Sequence, residues 1–302
     1  MKQKTIKSAF TLKGKGLHTG QVITAEFCPA PVNHGYKIQR TDIEGQPVID
    51  CLAHNVIDTQ RGTVLGNEQF RVSTIEHAMA AILASSIDNI LIRLDGPEMP
   101  ILDGSAKYWI EQINHVGIES QEENRVPLVI KKKITVSGPH GEKLVIEPSE
   151  SNRLDVTIDF DSDILPLQSV SFGENNSFER DVASARTFVF VREIQPLLEY
   201  GLIKGGDLDN AIVIYEKELP QEKFDALAEK MGVEKRDATK LGYLNREPLR
   251  WKNEPARHKM LDIIGDLALV GRPILGHLTA FKPGHTINNQ LARKLEELVM
   301  NN

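Results

Sequence analysis

The sequence contains only two cysteines, Cys28 and Cys51, and they are not spaced as CxxC. Two isolated thiols argue against the disulfide framework that stabilises many small secreted domains. They also argue against a site in which several thiolates hold a metal. A metal bound by this chain must therefore be held by histidine and carboxylate side chains.

Long apolar runs and an excess of positive charge are also missing. The longest apolar runs fall well short of the ~20 residues that cross a bilayer, so no transmembrane segment is predicted. The N-terminal stretch MKQKTIKSAFTLKGKG is basic but lacks a continuous apolar core and a small-residue cleavage site, so we expect a cytoplasmic protein. A net charge of -6 argues against nucleic-acid binding, which depends on a basic surface.

The chain is long enough, at 302 residues, for two domains that each bury a core. A charged, polar segment, ESQEENRVP, follows a helix-like stretch and precedes a strand-like one, which is typical of a linker. We therefore predict an N-terminal α+β domain at residues 1–122 and a C-terminal α+β domain at residues 126–302.

The predicted elements follow the same order in both halves. In the first half, the strand-like segments TIKSAFTL, VITAEF and YKIQR precede a helix (STIEHAMAAILASS), a strand (DNILIRLDG), an ordered turn (PEMPILDGSA) and a second helix (KYWIEQINHVG). In the second half, LVIKKKITV, KLVIEP and LDVTIDF precede a helix (EPARHKMLDIIGDLALVG), a strand (ILGHLTAF), a loop (KPGH) and a final helix (TINNQLARKLEELVM). This order predicts a duplicated α+β unit, although the residues of the two halves are not visibly alike.

An excursion at residues 187–215 interrupts the second repeat. It reads as a short helix, a Gly-Gly turn and an apolar strand. Two interpretations stay open on this pattern alone, a substrate-binding insertion and an ordinary helix and strand of the core.

A polar stripe runs along the otherwise apolar helix of the second half. His258, Asp262 and Asp266 are four residues apart, so they lie on one side of the helix. His258 and Asp262 can reach one ion from adjacent turns, and imidazole with carboxylate suits zinc. If the two repeats face each other, His77 on the corresponding first-half helix supplies a third ligand, with Glu76 beside the metal-bound water.

Structural explanations compete with the metal site. Ser73 and Glu76 match a capping box, in which Glu76 would bond back to the start of its helix. His258 is also compatible with a solvated basic patch, and Asp262 and Asp266 with ordinary surface residues. The joint placement of these residues on equivalent helices favours the metal site.

Six motifs carry a resemblance to a known family: GLHTG, STIEHAMAA, IDNILIRLDGPEMPILDGSA, ARTF, RHKMLDIIGDLALVGRPILGH and FKPGHTINNQL. In this order, and over nearly the whole chain, the sequence resembles the zinc-dependent UDP-3-O-acyl-N-acetylglucosamine deacetylases of lipid A synthesis, called LpxC. The resemblance implies a two-domain, duplicated α/β sandwich with the active site between the domains, and an acylated UDP-sugar that is hydrolysed to release acetate. Some members continue into a dehydratase domain, so a fusion of this kind in a longer native chain stays open.

The resemblance also implies a role for each matching residue. His77, His258 and Asp262 would hold Zn²⁺, although Fe²⁺ suits the same donors and stays open. Glu76 would be the general base and His285 the acid, with Asp266 orienting that histidine or stabilising its charge, and Thr187 would hold the developing oxyanion.

The implied substrate contacts fall outside that group. Lys259 would take the role of the family's lysine that follows the metal-binding histidine. Lys282 would contact the diphosphate, Lys143 would be a further polar contact, and Phe160 would stack on uracil. A hydrophobic acyl passage would be formed by Phe188, Val191, Ile194, Ile203 and Val213. The sequence departs from better-known members at Arg61, Gly62 and Thr63, where many have a cysteine-containing loop, and at Pro283, where KSGH is frequent.

Overall fold

The computed structural model of the protein describes residues 1–67 and 70–301. Asn302, the last residue of the predicted C-terminal domain, lies outside these ranges. Within them, no helix combines the length and the apolar character that crossing a bilayer requires.

The first half is mostly short strands around two helices. Its elements in chain order are β1 (Lys2–Ile6), β2 (Phe10–Lys15), β3 (Val22–Pro29), β4 (Tyr36–Arg40), β5 (Val48–Asp50), a 3₁₀ turn (Ala53–Asn55), β6 (Val56–Asp58), β7 (Val64–Gly66), β8 (Arg71–Val72), α1 (Glu76–Ala84), β9 (Ile90–Leu94), α2 (Lys107–Val116) and β10 (Ile118–Asn124).

The second half has longer connections between its strands. Its elements are β11 (Leu128–Val129), β12 (Ile134–Ser137), β13 (Lys143–Glu147), β14 (Arg153–Ile158), β15 (Gln168–Phe172), α3 (Phe178–Asp181), β16 (Phe188–Phe190), α4 (Val191–Glu199), β17 (Ile212–Tyr215), α5 (Gln221–Met231), β18 (Gly242–Tyr243), α6 (Glu254–Leu267), a 3₁₀ turn (Ala268–Val270), β19 (Ile274–Leu275), β20 (His277–Phe281) and α7 (His285–Met300).

Two five-stranded sheets repeat one topology. The first has the strand order β2-β3-β9-β4-β5 and the second the order β12-β13-β20-β14-β15. In each sheet one central pair is parallel, β4 with β9 and β14 with β20, and the other neighbours are antiparallel. The predicted α+β class is confirmed, and the duplication is visible in the strand order although the two sequences are not alike.

The helices α1 and α6 pack against each other at the centre of the molecule. The approach is close at Gly265, because a Cβ atom there would lie only 2.1 Å from the carbonyl oxygen of Glu76. Met79 of α1 and Leu261 and Ile263 of α6 are fully buried in one hydrophobic core that both halves share. The contact brings the polar stripe of α6 next to the start of α1.

Several predicted strands have different limits in the structure. TIKSAFTL forms two strands because β1 pairs with β10 whereas β2 pairs with β3. LVIKKKITV also splits, since β11 pairs with β19 and β12 with β13. The first part of the predicted linker belongs to β10 (Ile118–Asn124), and the domain boundary between residues 122 and 126 stays a prediction.

The excursion contains the predicted helix, Gly-Gly turn and apolar strand. β16 and β17 pair in parallel, and β18 adds to β17, so this unit continues beyond residue 215. Phe190, Ile212 and Ile214 of this unit join the main core, whereas other apolar side chains, which include Val213 and Phe224, form a separate cluster.

Candidate metal centre and active site

Three buried side chains from α1 and α6 converge on one point. One ligand atom each from His77, His258 and Asp262 lies within 4.8 Å of the others. The Oδ1 atom of Asp262 is 3.2 Å from His258 Nε2 and 3.9 Å from His77 Nε2. The i, i+4 spacing on α6 aligns His258 with Asp262, and the packing of α1 on α6 adds His77.

The protonation and bonding of this cluster suit a divalent cation. Asp262 Oδ1 is buried and has no hydrogen-bond partner among the residues that the structure describes, which is unfavourable unless a cation satisfies it. His258 Nδ1 lies 2.9 Å from the Ala185 carbonyl oxygen and donates to it, so its Nε2 lone pair faces the cluster. Burial, together with the neighbouring His258, lowers the pKa of His77 to about 3, which keeps His77 neutral. Two imidazole nitrogens and one free carboxylate oxygen fit zinc or iron(II).

Glu76 is the first residue of α1 and is buried beside the cluster. The residue before the helix is Ile75, not Ser73, and among the described residues no side chain caps this helix, so the capping-box interpretation is wrong. Instead, Glu76 Oε2 accepts a hydrogen bond of 3.1 Å from the backbone N–H of Thr63. Burial raises the pKa of Glu76 to about 7, against the opposing effect of the positive charge on His285.

His285 begins α7 and bridges two carboxylates. Its Nδ1 atom is 2.9 Å from Asp266 Oδ2, and its Nε2 atom is 3.8 Å from Glu76 Oε1. Burial lowers the pKa of His285, but the nearby carboxylates, Asp266 foremost, outweigh it and raise the value to about 9. His285 is therefore protonated at neutral pH, with Nε2 on the side of Glu76.

Asp266 is held by two residues that the sequence did not single out for this role. Thr63 Oγ1 donates to Asp266 Oδ1 at 2.5 Å, and Asn288 Nδ2 donates to Oδ2 at 2.8 Å. The surface interpretations of Asp262 and Asp266 are wrong, because both side chains are buried. The sequence analysis named Thr63 only as a departure from the family pattern and did not name Asn288, whose one signal is its place about one turn after His285.

A buried ion pair holds the ARTF segment next to the cluster. Arg186 Nε and Nη2 donate to the two carboxylate oxygens of Glu254 at 2.9 and 3.1 Å. Glu254 lies one turn before His258 on α6, and Ala185 accepts the hydrogen bond of that histidine. The backbone N–H of Thr187 donates to the Gly104 carbonyl at 2.8 Å. This pair, which the sequence analysis missed, fixes both Thr187 and the orientation of His258.

A cavity of about 580 Å³ opens over the cluster. Glu76, Asp262, Thr187 and His285 line it together with the other two members of the cluster. Asp266 is not part of the lining and contacts His285 Nδ1 at 2.9 Å.

The resemblance also implies substrate contacts outside the acyl passage, and only some of them line this cavity, which we call the catalytic cavity. Phe160, Lys259 and Lys282 line it. Lys259 Nζ is 2.8 Å from Asp262 Oδ2, and Lys282 Nζ is 3.1 Å from Asp159. Lys143 is exposed at the start of β13 and is not among the lining residues. The residues that line the cavity here, Pro139, His140 and Glu142, lie in the turn before that strand.

A second, apolar cavity of about 100 Å³ lies within the excursion. It adjoins the catalytic cavity at Leu17, Thr187 and Phe188, which line both. All five residues implied for an acyl passage line this cavity, namely Phe188, Val191, Ile194, Ile203 and Val213. Residues of α5, which the sequence analysis did not predict, complete the lining.

Comparison with known proteins gives a match over nearly the whole chain. The model of the family described as UDP-3-O-acyl N-acetylglycosamine deacetylase matches residues 3–229 and 237–297.

Similar curated proteins fall into two groups. The bifunctional enzymes LpxC/FabZ of Bacteroides thetaiotaomicron and Porphyromonas gingivalis are 55% and 53% identical over 98% and 100% of this chain. The chain spans 65% of the length of each of these two relatives. The UDP-3-O-acyl-N-acetylglucosamine deacetylase of Myxococcus xanthus is 39% identical, over 97% of this chain and 86% of its own length.

Proposed function

The chain belongs to the UDP-3-O-acyl N-acetylglycosamine deacetylase family, and on that basis we propose that it hydrolyses the acetamide of UDP-3-O-acyl-N-acetylglucosamine in lipid A biosynthesis. The observation that carries the proposal is the convergence of His77, His258 and the unpartnered carboxylate oxygen of Asp262 beside a base and an acid. Acetate and an acylated UDP-glucosamine would be the products.

The three cluster residues would hold the metal, which we take to be zinc, with iron(II) suited to the same donors. A zinc ion bound there would polarise the acetamide carbonyl and lower the pKa of a water molecule to about 7. Lys259, paired with Asp262, adds positive charge at the edge of the same site.

The acid-base work would be divided between Glu76 and His285. Glu76, whose pKa burial raises to about 7, is matched to accepting a proton from the attacking water near neutral pH. His285, whose pKa is about 9, would give its Nε2 proton to the nitrogen of the departing amine. Thr187 lines the same cavity, so its hydroxyl would donate to the developing oxyanion.

The two cavities would divide the substrate between them. The catalytic cavity, with Phe160 and Lys282, would take the uracil and the diphosphate, and the apolar cavity would take the 3-O-acyl chain. Each methylene buried there contributes about 0.8 kcal/mol, so much of the binding free energy would come from the acyl chain. A cytoplasmic location stays a prediction from the sequence.

The test is removal and return of the metal. The protein is treated with a chelator, its zinc and iron are measured, and acetate release from the acylated UDP-sugar is followed before and after adding each metal. We expect loss of activity on chelation and recovery with zinc or iron(II). Full acetate release by protein that elemental analysis shows to be free of both metals would refute the metal mechanism. If protein reloaded with metal released no acetate, the proposed substrate would be wrong.

A further inference from the structure

One segment, residues 221–236, lines the apolar cavity but not the catalytic one, and we call it the cap segment. It consists of α5 and the turn that follows. Leu227, Ala228, Met231 and Val233 belong to the lining of the apolar cavity, whereas Phe188 is shared with the catalytic cavity. An apolar chain that entered at Phe188 would therefore end against the cap segment.

The cap segment is anchored to the excursion and to the chain that follows it. The ring of Phe224 stacks on Tyr215 of β17, with centroids 4.4 Å apart and planes 12° apart. Tyr215 donates its hydroxyl to the Ala238 carbonyl at 2.9 Å. The Gln221 side chain joins the two ends of the segment, donating to the Arg236 carbonyl at 2.8 Å and accepting from the Ala238 N–H at 2.9 Å. These contacts hold α5 in place at the side of the cavity.

The chemistry of the lining changes at the end of the cap segment. Beyond Met231, the lining residues Glu234 and Arg236 form an ion pair of 3.0 Å. Arg246 adds a second contact to Glu234 at 3.4 Å. A methylene that reached these charges would displace water from them without gaining an apolar partner, so further chain length would bring no stabilisation.

Part of the same stretch is not matched by the family model. The family model stops at residue 229 and resumes at residue 237, so the last residues of α5 and the turn after it are outside the match. We propose that the cap segment sets the longest acyl chain that the protein accepts. The inference rests on the proposed function and adds a specificity-determining element to it.

A series of UDP-sugar substrates whose saturated 3-O-acyl chains grow two carbons at a time measures this limit. Below the limit, kcat/KM should rise by about fourfold for each added methylene, the factor that corresponds to burying one methylene. Above the limit it should stay level or fall.

Variants at the cavity end should move the limit. Ala228→Leu fills the end of the cavity and should shift the optimum to a shorter chain, whereas Met231→Ala enlarges the cavity and should shift it to a longer one. Ala226→Leu is the matched control, since Ala226 is exposed on the same helix and makes no part of the lining. If Ala228→Leu fails to fold, Met231→Ala still tests the proposal. Superimposable chain-length profiles for wild type and the folded cavity variants would overturn it.

Binding of free saturated fatty acids of the same lengths, measured by calorimetry, separates this inference from the proposed function. A length limit that moves with Ala228→Leu and Met231→Ala, in protein that cleaves none of the UDP-sugars, would support the cap segment and refute the deacetylation. Acetate release by every folded variant with an unchanged length profile would refute the cap segment alone.

Discussion

The two repeats share one scaffold and differ in what is inserted before the central helix. In the first repeat, the insert consists of three short strands, β6 to β8, before α1. In the second repeat, the insert at residues 188–243 has its own sheet and its own apolar cluster before α6. The first insert contacts Glu76 and Asp266 through Thr63, whereas the second forms a separate cavity that adjoins the catalytic one.

This difference assigns separate tasks to scaffold and inserts. The scaffold helices α1 and α6 supply His77, His258 and Asp262, which must be fixed relative to each other within tenths of an ångström. In the proposed function, the first insert supports the acid and base groups, so changes there should alter the rate. The second insert would hold the acyl chain, so the effect of changes there should depend on that chain.

The largest loss of activity is expected when a metal donor on the scaffold helices is removed. His258→Ala removes one of three metal donors and should lower metal affinity by more than about 100-fold, since losing an outer partner of a ligand already costs 10–100-fold. Acetate release should fall with metal content. His115→Ala, at an exposed position of α2, is the control and should keep both. Normal metal content in His258→Ala would show that the cluster is structural.

Glu76→Gln should separate catalysis from metal binding on the same scaffold helix. The side chain is the proposed base and not a ligand, so metal should stay bound while kcat falls by about 10²–10⁴-fold. Glu199→Gln, at an exposed position of α4, should behave as wild type. A stability loss in Glu76→Gln with kcat retained would assign this carboxylate a structural role.

Asp266→Asn tests the group behind the proposed acid. A neutral amide no longer stabilises the charged imidazole, so the pKa of His285, about 9 in the intact protein, should fall, by about 1–3 units. The acid would then lose its proton earlier as pH rises, and the basic limb of the kcat/KM profile should move to lower pH. Zinc content should be unchanged. A profile that superimposes on wild type would mean that Asp266 does not tune the acid.

Thr63→Val tests whether a change in the first insert lowers kcat independently of the acyl chain. It removes the hydroxyl that donates to Asp266 but keeps the backbone N–H that donates to Glu76. Leaving a buried carboxylate oxygen without this partner should reduce the free energy of unfolding by about 1–3 kcal/mol. The accompanying loss in kcat should be the same for substrates with and without the acyl chain. Thr11→Val, at an exposed strand position, is the control, and a loss confined to acylated substrates would contradict the division of tasks.

The smallest effect is expected where the two inserts touch. Arg61 of the first insert pairs with Glu193 of the second at 3.0 Å, and both side chains are partly exposed. Ion pairs of this kind contribute about 0–1 kcal/mol. Arg61→Ala should therefore change the free energy of unfolding, measured by urea denaturation, by less than about 1 kcal/mol. A larger loss would mean that the inserts stabilise each other and are not independent.

The sequence was most informative where structure depends on near neighbours. The spacing of His258, Asp262 and Asp266 fixed their common side of α6, because helix geometry sets the positions of residues four apart. The helices α1, α2, α6 and α7 were predicted from their apolar periodicity. Strands of two or three residues, such as those of the first insert, carry too little periodicity to be recognised. TIKSAFTL was read as one strand because a sequence does not show which partner each part will have.

The sequence by itself determined the α+β class, the repeated order of elements and the residue types that can hold a metal. Tertiary structure decided which distant groups meet: His77 with the α6 pair, Thr63 with Asp266, and Arg186 with Glu254. These contacts depend on how closely α1 and α6 approach at Gly265 and on how each insert folds over them. The energy of such a contact arises only after packing has removed water and brought together residues far apart in the chain, so no local pattern records it.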